Sequence, residues 1–162
     1  MNQLHSIMAY FCIHYPHKSE LSKARLTKLV YLADWFSALL NKHKATNINW
    51  VFNHYGPYVD DVSNLAQRDE NFSIVPEKTV YGGDKYVISY SGDDVDSALS
   101  DQEKAILNAI IEKTESMYFN DFIDYVYSTY PISSNERYTN LDLVALANRY
   151  KEEKKKPATS SS

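Results

Sequence analysis

Apolar residues recur at three- and four-residue spacing along most of the chain, which is the pattern of helices that bury one face. The first such segment, residues 2–14, is followed by Pro16, which cannot continue a helix. The second begins near Ser22, an acceptable N-cap, and continues to about Leu40. The same spacing predicts later helices at 58–67, 101–115, 119–130 and from 141 onward.

Two segments in the middle of the chain follow the alternating pattern of strands instead. Residues 48–54 place Ile48, Trp50 and Phe52 on one face, and 72–90 contains Gly82 and Gly83, which suit a tight hairpin. We expect Gly56 and Pro57 to turn the chain into the third helix. The sequence thus predicts a mainly α (α+β) fold, a compact helical domain with a small antiparallel β-sheet inserted in the middle.

Length and charge limit the possible organisation and ligands. A chain of 162 residues suits one domain, here 1–150, followed at 151–162 by a charged helix end and a Ser-rich tail that we expect to be disordered. The formal net charge of −4 gives no electrostatic reason to expect a nucleic-acid partner, because affinity for nucleic acid depends on neutralising phosphates.

The single cysteine and the short apolar runs bear on location. Cys12 cannot form an internal disulfide, and its apolar run, 7–13, is too short to cross a membrane. No lysine or arginine precedes that run, as a secretory signal would require. We therefore expect a cytoplasmic protein with no membrane association.

Common cofactor and metal motifs are absent from the sequence. Only four glycines occur, so neither of the two common glycine-rich phosphate loops can be built. His14 and His17 have no neighbouring thiol or carboxylate cluster that could complete a metal site. The acidic loop before Ser100 lacks the glycine of a calcium loop. It better suits a loop that leads into a helix, with Ser100 and Glu103 forming a capping box. The sequence predicts no cofactor and no metal.

Asp34 is the main candidate for chemistry, because it lies at the edge of the buried stripe of the second helix. A buried aspartate needs a hydrogen-bond donor, which His54, Tyr55 or Tyr31 could supply. An Asp34–His54 pair would suit the general base of a small hydrolase. The alternative is a structural tie between helix and strand, which is favoured because no motif marks a nucleophile.

Aromatic residues suggest a binding surface near the same place. Trp50 is expected in the core, whereas Trp35 and Tyr58 are expected to be partly exposed, as anchors of protein interfaces are. We define the aromatic edge as Tyr31, Asp34, Trp35, His54, Tyr55, Gly56, Pro57 and Tyr58. Simple core packing is the competing interpretation. Lys18, Lys23, Arg25 and Lys28 are expected to form a solvated basic face rather than a DNA contact.

Three segments in this order resemble the Panacea domain family, which includes SocA-like antitoxins and phage-associated GepA-like proteins. They are Lys28-Leu-Val-Tyr-Leu-Ala-Asp-Trp35, the segment from Trp50 through Asn-His-Tyr-Gly-Pro to Val59, and Leu99 to Glu103 after the hairpin. The similarity covers residues 4–150. The segment 119–130 departs from the family pattern, and it could encode the choice of partner.

This resemblance implies a non-enzymatic antitoxin that neutralises a co-encoded protein toxin by direct contact. A SocA-like member of the family acts as a protease adaptor, so a protease is a possible second partner. The resemblance leaves open the toxin, the choice between these routes and the oligomeric state. The rival interpretations are the hydrolase that uses Asp34 and His54, and a nucleic-acid-binding regulator.

Overall fold

The computed structural model of the protein describes residues 3–79 and 81–155. Within these residues the chain forms seven α-helices: α1 (Gln3–His14), α2 (Lys23–Asn41), α3 (Asp61–Arg68), α4 (Asp101–Thr114), α5 (Phe119–Ser128), α6 (Tyr130–Ser133) and α7 (Leu143–Lys155). The mainly α fold with a β component is therefore confirmed. The predicted disordered tail beyond residue 155 lies outside the described residues.

The described residues also form five strands in two antiparallel sheets: β1 (Trp50–Asn53), β2 (Gly56–Tyr58), β3 (Phe72–Lys78), β4 (Asp84–Tyr90) and β5 (Thr139–Leu141). The three-stranded sheet has the order β2-β1-β5, and β3 pairs with β4 in the predicted hairpin. No helix in the described part of the chain is long and apolar enough to span a membrane.

Helix α2 lies at the centre of the molecule. Every residue from Arg25 to Trp35 is buried, so the helix is enclosed on all sides and not only along its apolar stripe. Ser22 caps its first turn as predicted, since its Oγ accepts a hydrogen bond from the Arg25 backbone N–H at 3.1 Å. Helices α1, α4, α5 and α7 and the strand β4 all contact it.

Arg25 connects α2 to the corner between α4 and α5. Its guanidinium donates to the carbonyl oxygens of Thr114 and Met117 at 2.8 and 2.9 Å, and to the hydroxyl of Tyr15 at 3.1 Å. The same group lies 4.7 Å from the ring centroid of Phe122 in α5. These contacts satisfy a buried charge and fix where α5 begins relative to α2.

Three local predictions were wrong. Gly56 and Pro57 form the edge strand β2 instead of a turn; the turn is made by His54 and Tyr55, and Pro57 pairs with Phe52. Proline is tolerated there because an edge strand has an N–H side free of ladder partners. Two features were not predicted from the sequence: the strand β5, whose three residues carry too short a pattern, and the separation of α6 from α5 at Thr129.

Gly56 has a backbone conformation that residues with a side chain rarely adopt. Its φ is +95°, and a Cβ at this position would lie 3.1 Å from Cε1 of Tyr127 in α5. The absence of a side chain therefore allows both the strand geometry of β2 and the close approach of Tyr127.

We expect Gly56→Ala to lower the free energy of unfolding by about 2–4 kcal/mol, because it adds backbone strain and displaces Tyr127. Gly82→Ala is the matched control: φ is +83° at Gly82, but no atom of residues 3–79 or 81–155 lies within 4 Å of an added Cβ. It should cost about 1 kcal/mol through strain alone. Chemical denaturation measures both, and equal losses would show that the contact with Tyr127 is unimportant.

Candidate functional site

Asp34 is a structural tie inside the protein. Its side chain is fully buried; Oδ1 accepts a hydrogen bond from the Thr46 backbone N–H at 2.8 Å, and Oδ2 accepts from the Thr46 hydroxyl at 2.5 Å and from the Trp50 indole N–H at 2.8 Å. Burial raises the pKa of Asp34, an effect opposed by these hydrogen bonds and by Lys44. The donors are therefore Thr46 and Trp50, and the expectation that Tyr31, His54 or Tyr55 bonds this carboxyl was wrong.

The structure does not form the Asp34–His54 pair that a hydrolase of the proposed kind would need. His54 is exposed in the turn between β1 and β2, where its ring lies edge-on to that of Tyr55 with centroids 4.6 Å apart. The hydrogen bonds described for Asp34 come from Thr46 and Trp50 alone. Asp34 therefore does not orient the ring of His54 as a general-base pair requires.

Two other members of the aromatic edge are also interior. Trp35 is 3% exposed, so its expected partial exposure was wrong; its ring stacks on Tyr130 of α6 and meets the edge of Tyr150 of α7. Tyr31 is buried and its hydroxyl bonds that of Thr129 at 2.8 Å. Trp50 lies in the core, as expected.

The exposed part of the aromatic edge borders a groove. Tyr55, which is 74% exposed, and the half-buried Tyr58 form one side of it. Gly56 and Pro57 between them are buried and hold the two tyrosines on the strand β2. The other side is α5, which places Phe119, Ile123 and Tyr127 on one helix face at four-residue spacing.

We call this space the aromatic groove; it has a volume of about 410 Å³ and is lined by Ala24, Lys28, Tyr55, Tyr58, Phe119, Asn120, Ile123 and Tyr127. Most of its surface is aromatic or aliphatic. Such a concave, largely apolar site with a few polar groups is the usual form of a binding pocket. The helix predicted at 119–130 was expected to bury one apolar face. In the structure Phe122 and Val126 enter the core, whereas Phe119, Ile123 and Tyr127 line the groove.

Lys28 is the least exposed residue of the aromatic groove, with 2% of its surface accessible. Among residues 3–79 and 81–155, no group forms a hydrogen bond or ion pair with its ammonium, whose nitrogen keeps some contact with solvent. Burial without a partner lowers the pKa of Lys28 to about 8. The groove thus contains a cation whose hydrogen bonds are left for water or a bound molecule.

The expected basic face is not solvated as predicted. Arg25 and Lys28 are interior, and only Lys18 and Lys23 of the four cations remain nearer the surface. Lys23 lies over the ring of Tyr86 in β4, 5.0 Å from its centroid. A continuous basic stripe of the kind that binds nucleic acid is therefore not formed here.

The comparison with protein families identifies the domain. The model for the SocA-like antitoxin Panacea domain matches residues 26–131, about two thirds of the chain. The chain belongs to the SocA-like Panacea domain family. No curated protein and no solved structure shows significant similarity to it.

The Panacea match includes most of the aromatic groove. Seven of its eight lining residues, from Lys28 to Tyr127, fall within the matched range, and Ala24 lies just before it. The strand β5 and the helix α7 lie beyond the match and cover the far side of Trp35 and Trp50. Family membership supports an antitoxin role, and with it a non-enzymatic protein whose partner is a toxin.

We expect Asp34→Asn to lower the free energy of unfolding by about 1–3 kcal/mol, because an amide replaces one acceptor oxygen with a donor that faces other donors. Asp124→Asn, at an exposed position of α5, is the control and should change stability by less than about 0.5 kcal/mol. Thermal unfolding of both variants tests this. An Asp34→Asn variant as stable as wild type would contradict the role of Asp34 as a charged acceptor.

We expect Lys28→Met to stabilise the protein at pH 7 by about 1–3 kcal/mol, because it removes an unpaired buried charge. The pKa of Lys28 is about 8 when folded and near 10.5 when unfolded. Between these values the unfolded chain binds a proton that the folded chain has released, so this lysine's effect on stability becomes more favourable as pH rises.

The measurement is the difference in unfolding free energy between wild type and Lys28→Met from pH 7 to 10.5, in which the titrations of other groups cancel. The difference should shrink as pH rises through this window. Lys155→Met, at an exposed position, serves as control and should show no such trend. A constant difference for Lys28→Met would mean that Lys28 is solvated like an ordinary surface lysine.

Proposed function

We propose that this protein is the antitoxin of a bacterial or phage toxin–antitoxin pair, and that it neutralises a co-encoded protein toxin by binding it directly in the cytoplasm. The proposed contact surface is the exposed part of the aromatic edge, His54, Tyr55 and Tyr58, together with the aromatic groove beside it. Tyr31 and Asp34 contribute from the interior by holding α2 against β1, the strand that leads to the turn. Trp35 packs α2 against α6 and α7.

The observation that carries this proposal is the clustering of exposed aromatic residues around a concave surface within a Panacea domain. Tyr55 is 74% exposed, Phe119 is 44% exposed, and both line the same groove. Tyrosine and phenylalanine are enriched at the centres of protein interfaces, where they bury large areas at low entropic cost. A protein partner would cover this apolar surface, which water solvates poorly.

Direct neutralisation and delivery to a protease differ in what happens to the toxin. Under direct neutralisation the toxin persists in an inactive complex, so its cellular amount stays constant while growth is restored. Under delivery to a protease the toxin would disappear as the antitoxin accumulates. We favour direct neutralisation, and immunoblotting of a tagged toxin during rescue distinguishes the two.

Nucleic-acid binding is the less favoured function. The net charge is −4, and two of the four cations that could have formed a basic face are buried. Affinity for DNA or RNA that decreases steeply with salt would support it.

The test is co-expression with the protein encoded by the adjacent reading frame. That protein should arrest growth alone, be harmless beside wild type, and co-purify with it. Tyr55→Ala should weaken the complex by about 2 kcal/mol, roughly thirtyfold in Kd, because it removes an exposed aromatic anchor. Calorimetric titration of the purified pair measures the loss.

Tyr81→Ala is the matched control, because Tyr81 is an equally large aromatic residue, 97% exposed, on the hairpin between β3 and β4. It should bind the toxin like wild type. A neighbouring protein that is harmless alone, or that remains toxic beside this chain, would overturn the proposed function. A larger loss from Tyr81→Ala than from Tyr55→Ala would move the contact surface to the hairpin.

A further inference from the structure

We infer that the aromatic groove binds an apolar segment of a protein partner that carries one acidic side chain, and that the carboxylate of this side chain pairs with the ammonium of Lys28. This inference rests on the proposed function in one respect, since it takes the occupant to be a polypeptide. It adds which kind of peptide segment the groove binds, an apolar one with a single carboxylate.

Lys28 is a buried cation that none of the described residues pairs. Lys28 is 2% exposed, and its ammonium, which has three donor hydrogens, has no hydrogen-bond or ionic partner within the described part of the chain. Arg25, one turn earlier in the same helix and equally buried, has four polar partners and lies over two aromatic rings. The fold therefore satisfies one buried cation fully and leaves the other facing the groove.

Helix α5, which forms the opposite side of the groove, also favours an anion there. Phe119 and Asn120, the first two residues of α5, line the groove, so the positive end of the helix dipole lies beside it. Tyr118, which precedes the helix, makes no side-chain hydrogen bond to the first-turn amides. Asp121 is the acidic residue of this turn; it is exposed, does not line the groove, and offsets part of the dipole.

The residues that line the groove determine which anion fits beside Lys28. The groups that surround Lys28 in the groove are Tyr55, Tyr58, Tyr127 and Asn120, and the carboxylate of Asp60 interacts with the Tyr58 hydroxyl. A single ammonium complements one negative charge, whereas a phosphate group is more commonly held by several donors. Because the rest of the lining is apolar, an occupant with one carboxylate among apolar side chains leaves the fewest groups unpaired.

The size of the groove is consistent with a short segment. A volume of about 410 Å³ lies at the lower end of the range for drug-sized ligands, enough for a few side chains. The carboxylate would accept hydrogen bonds from the Lys28 ammonium, which folding has already removed from most of its water. Binding therefore does not have to supply that part of the desolvation free energy again.

A displayed library of random 12-residue peptides tests this inference without any knowledge of the toxin. Selection on the full-length wild-type chain should enrich peptides in which Asp or Glu lies within three residues of aromatic or aliphatic residues. For the best peptide and its acid-to-amide version, Kd is then measured on wild type, Lys28→Met and Lys28→Arg. Thermal unfolding establishes that both variants are folded.

On wild type, the acid-to-amide change should weaken binding at least about tenfold, the size expected for a buried charge-assisted hydrogen bond. On Lys28→Met the two peptides should bind alike, and on Lys28→Arg a preference for the acid should remain because the positive charge is kept. Lys155→Met is the control and should bind both peptides like wild type.

The inference is overturned if no library peptide is enriched, if the enriched peptides lack acids, or if the acid preference survives in Lys28→Met. A single-stranded oligonucleotide that displaces the best peptide would also overturn it, in favour of a phosphate ligand. The outcome is separable from the proposed function. If the groove selects acidic peptides but the neighbouring gene product is not toxic, the antitoxin role is refuted and the inference about the groove stands.

Discussion

The burial of charged side chains in the central helix α2 is the constraint on which the rest of the structure depends. From Arg25 to Trp35 the helix is enclosed, although it contains an arginine, a lysine and an aspartate. A buried charge without a partner costs several kcal/mol, so each must be paired, neutralised or left facing a cavity. Arg25 and Asp34 are paired with groups from distant segments, and those pairings fix the positions of α5 and β1.

The aromatic groove follows from these ties. Arg25 holds the carbonyl oxygens that precede α5, which sets the distance between α5 and α2. Asp34 binds the indole of Trp50 at the start of β1, and β1 leads to the turn that presents Tyr55. Gly56 lets the ring of Tyr127 approach the sheet and close one side of the groove. Lys28 lies between these two residues on α2, and none of the residues that the structure describes pairs with its ammonium in this space.

An unpaired buried lysine reduces the stability of the free protein, and it is the sort of local cost that proteins retain at functional sites. Lys28 would otherwise be replaced without loss by an apolar residue of similar length. A partner that supplies a carboxylate would recover that cost on binding, which links the stability of the free protein to its affinity for the partner.

Elements with long regular patterns were predictable from the sequence, and features set by distant residues were not. Helix α2, its Ser22 cap and the β3–β4 hairpin follow from local spacing and turn chemistry. Trp35 is buried because Tyr130 and Tyr150, from helices about a hundred residues later, cover it, and no local pattern encodes that. The groove was missed for the same reason, since Lys28 and α5 meet only in the folded chain.

The most direct test of the contact surface is hydroxyl-radical footprinting of the protein alone and in complex with the protein encoded by the adjacent frame. Tyr55 and Phe119 should lose most of their reactivity in the complex, while Tyr81 and Tyr138, which are also exposed, should remain reactive. Protection of Tyr81 and Tyr138 with Tyr55 and Phe119 unchanged would contradict the assignment of the aromatic groove as the toxin-binding surface.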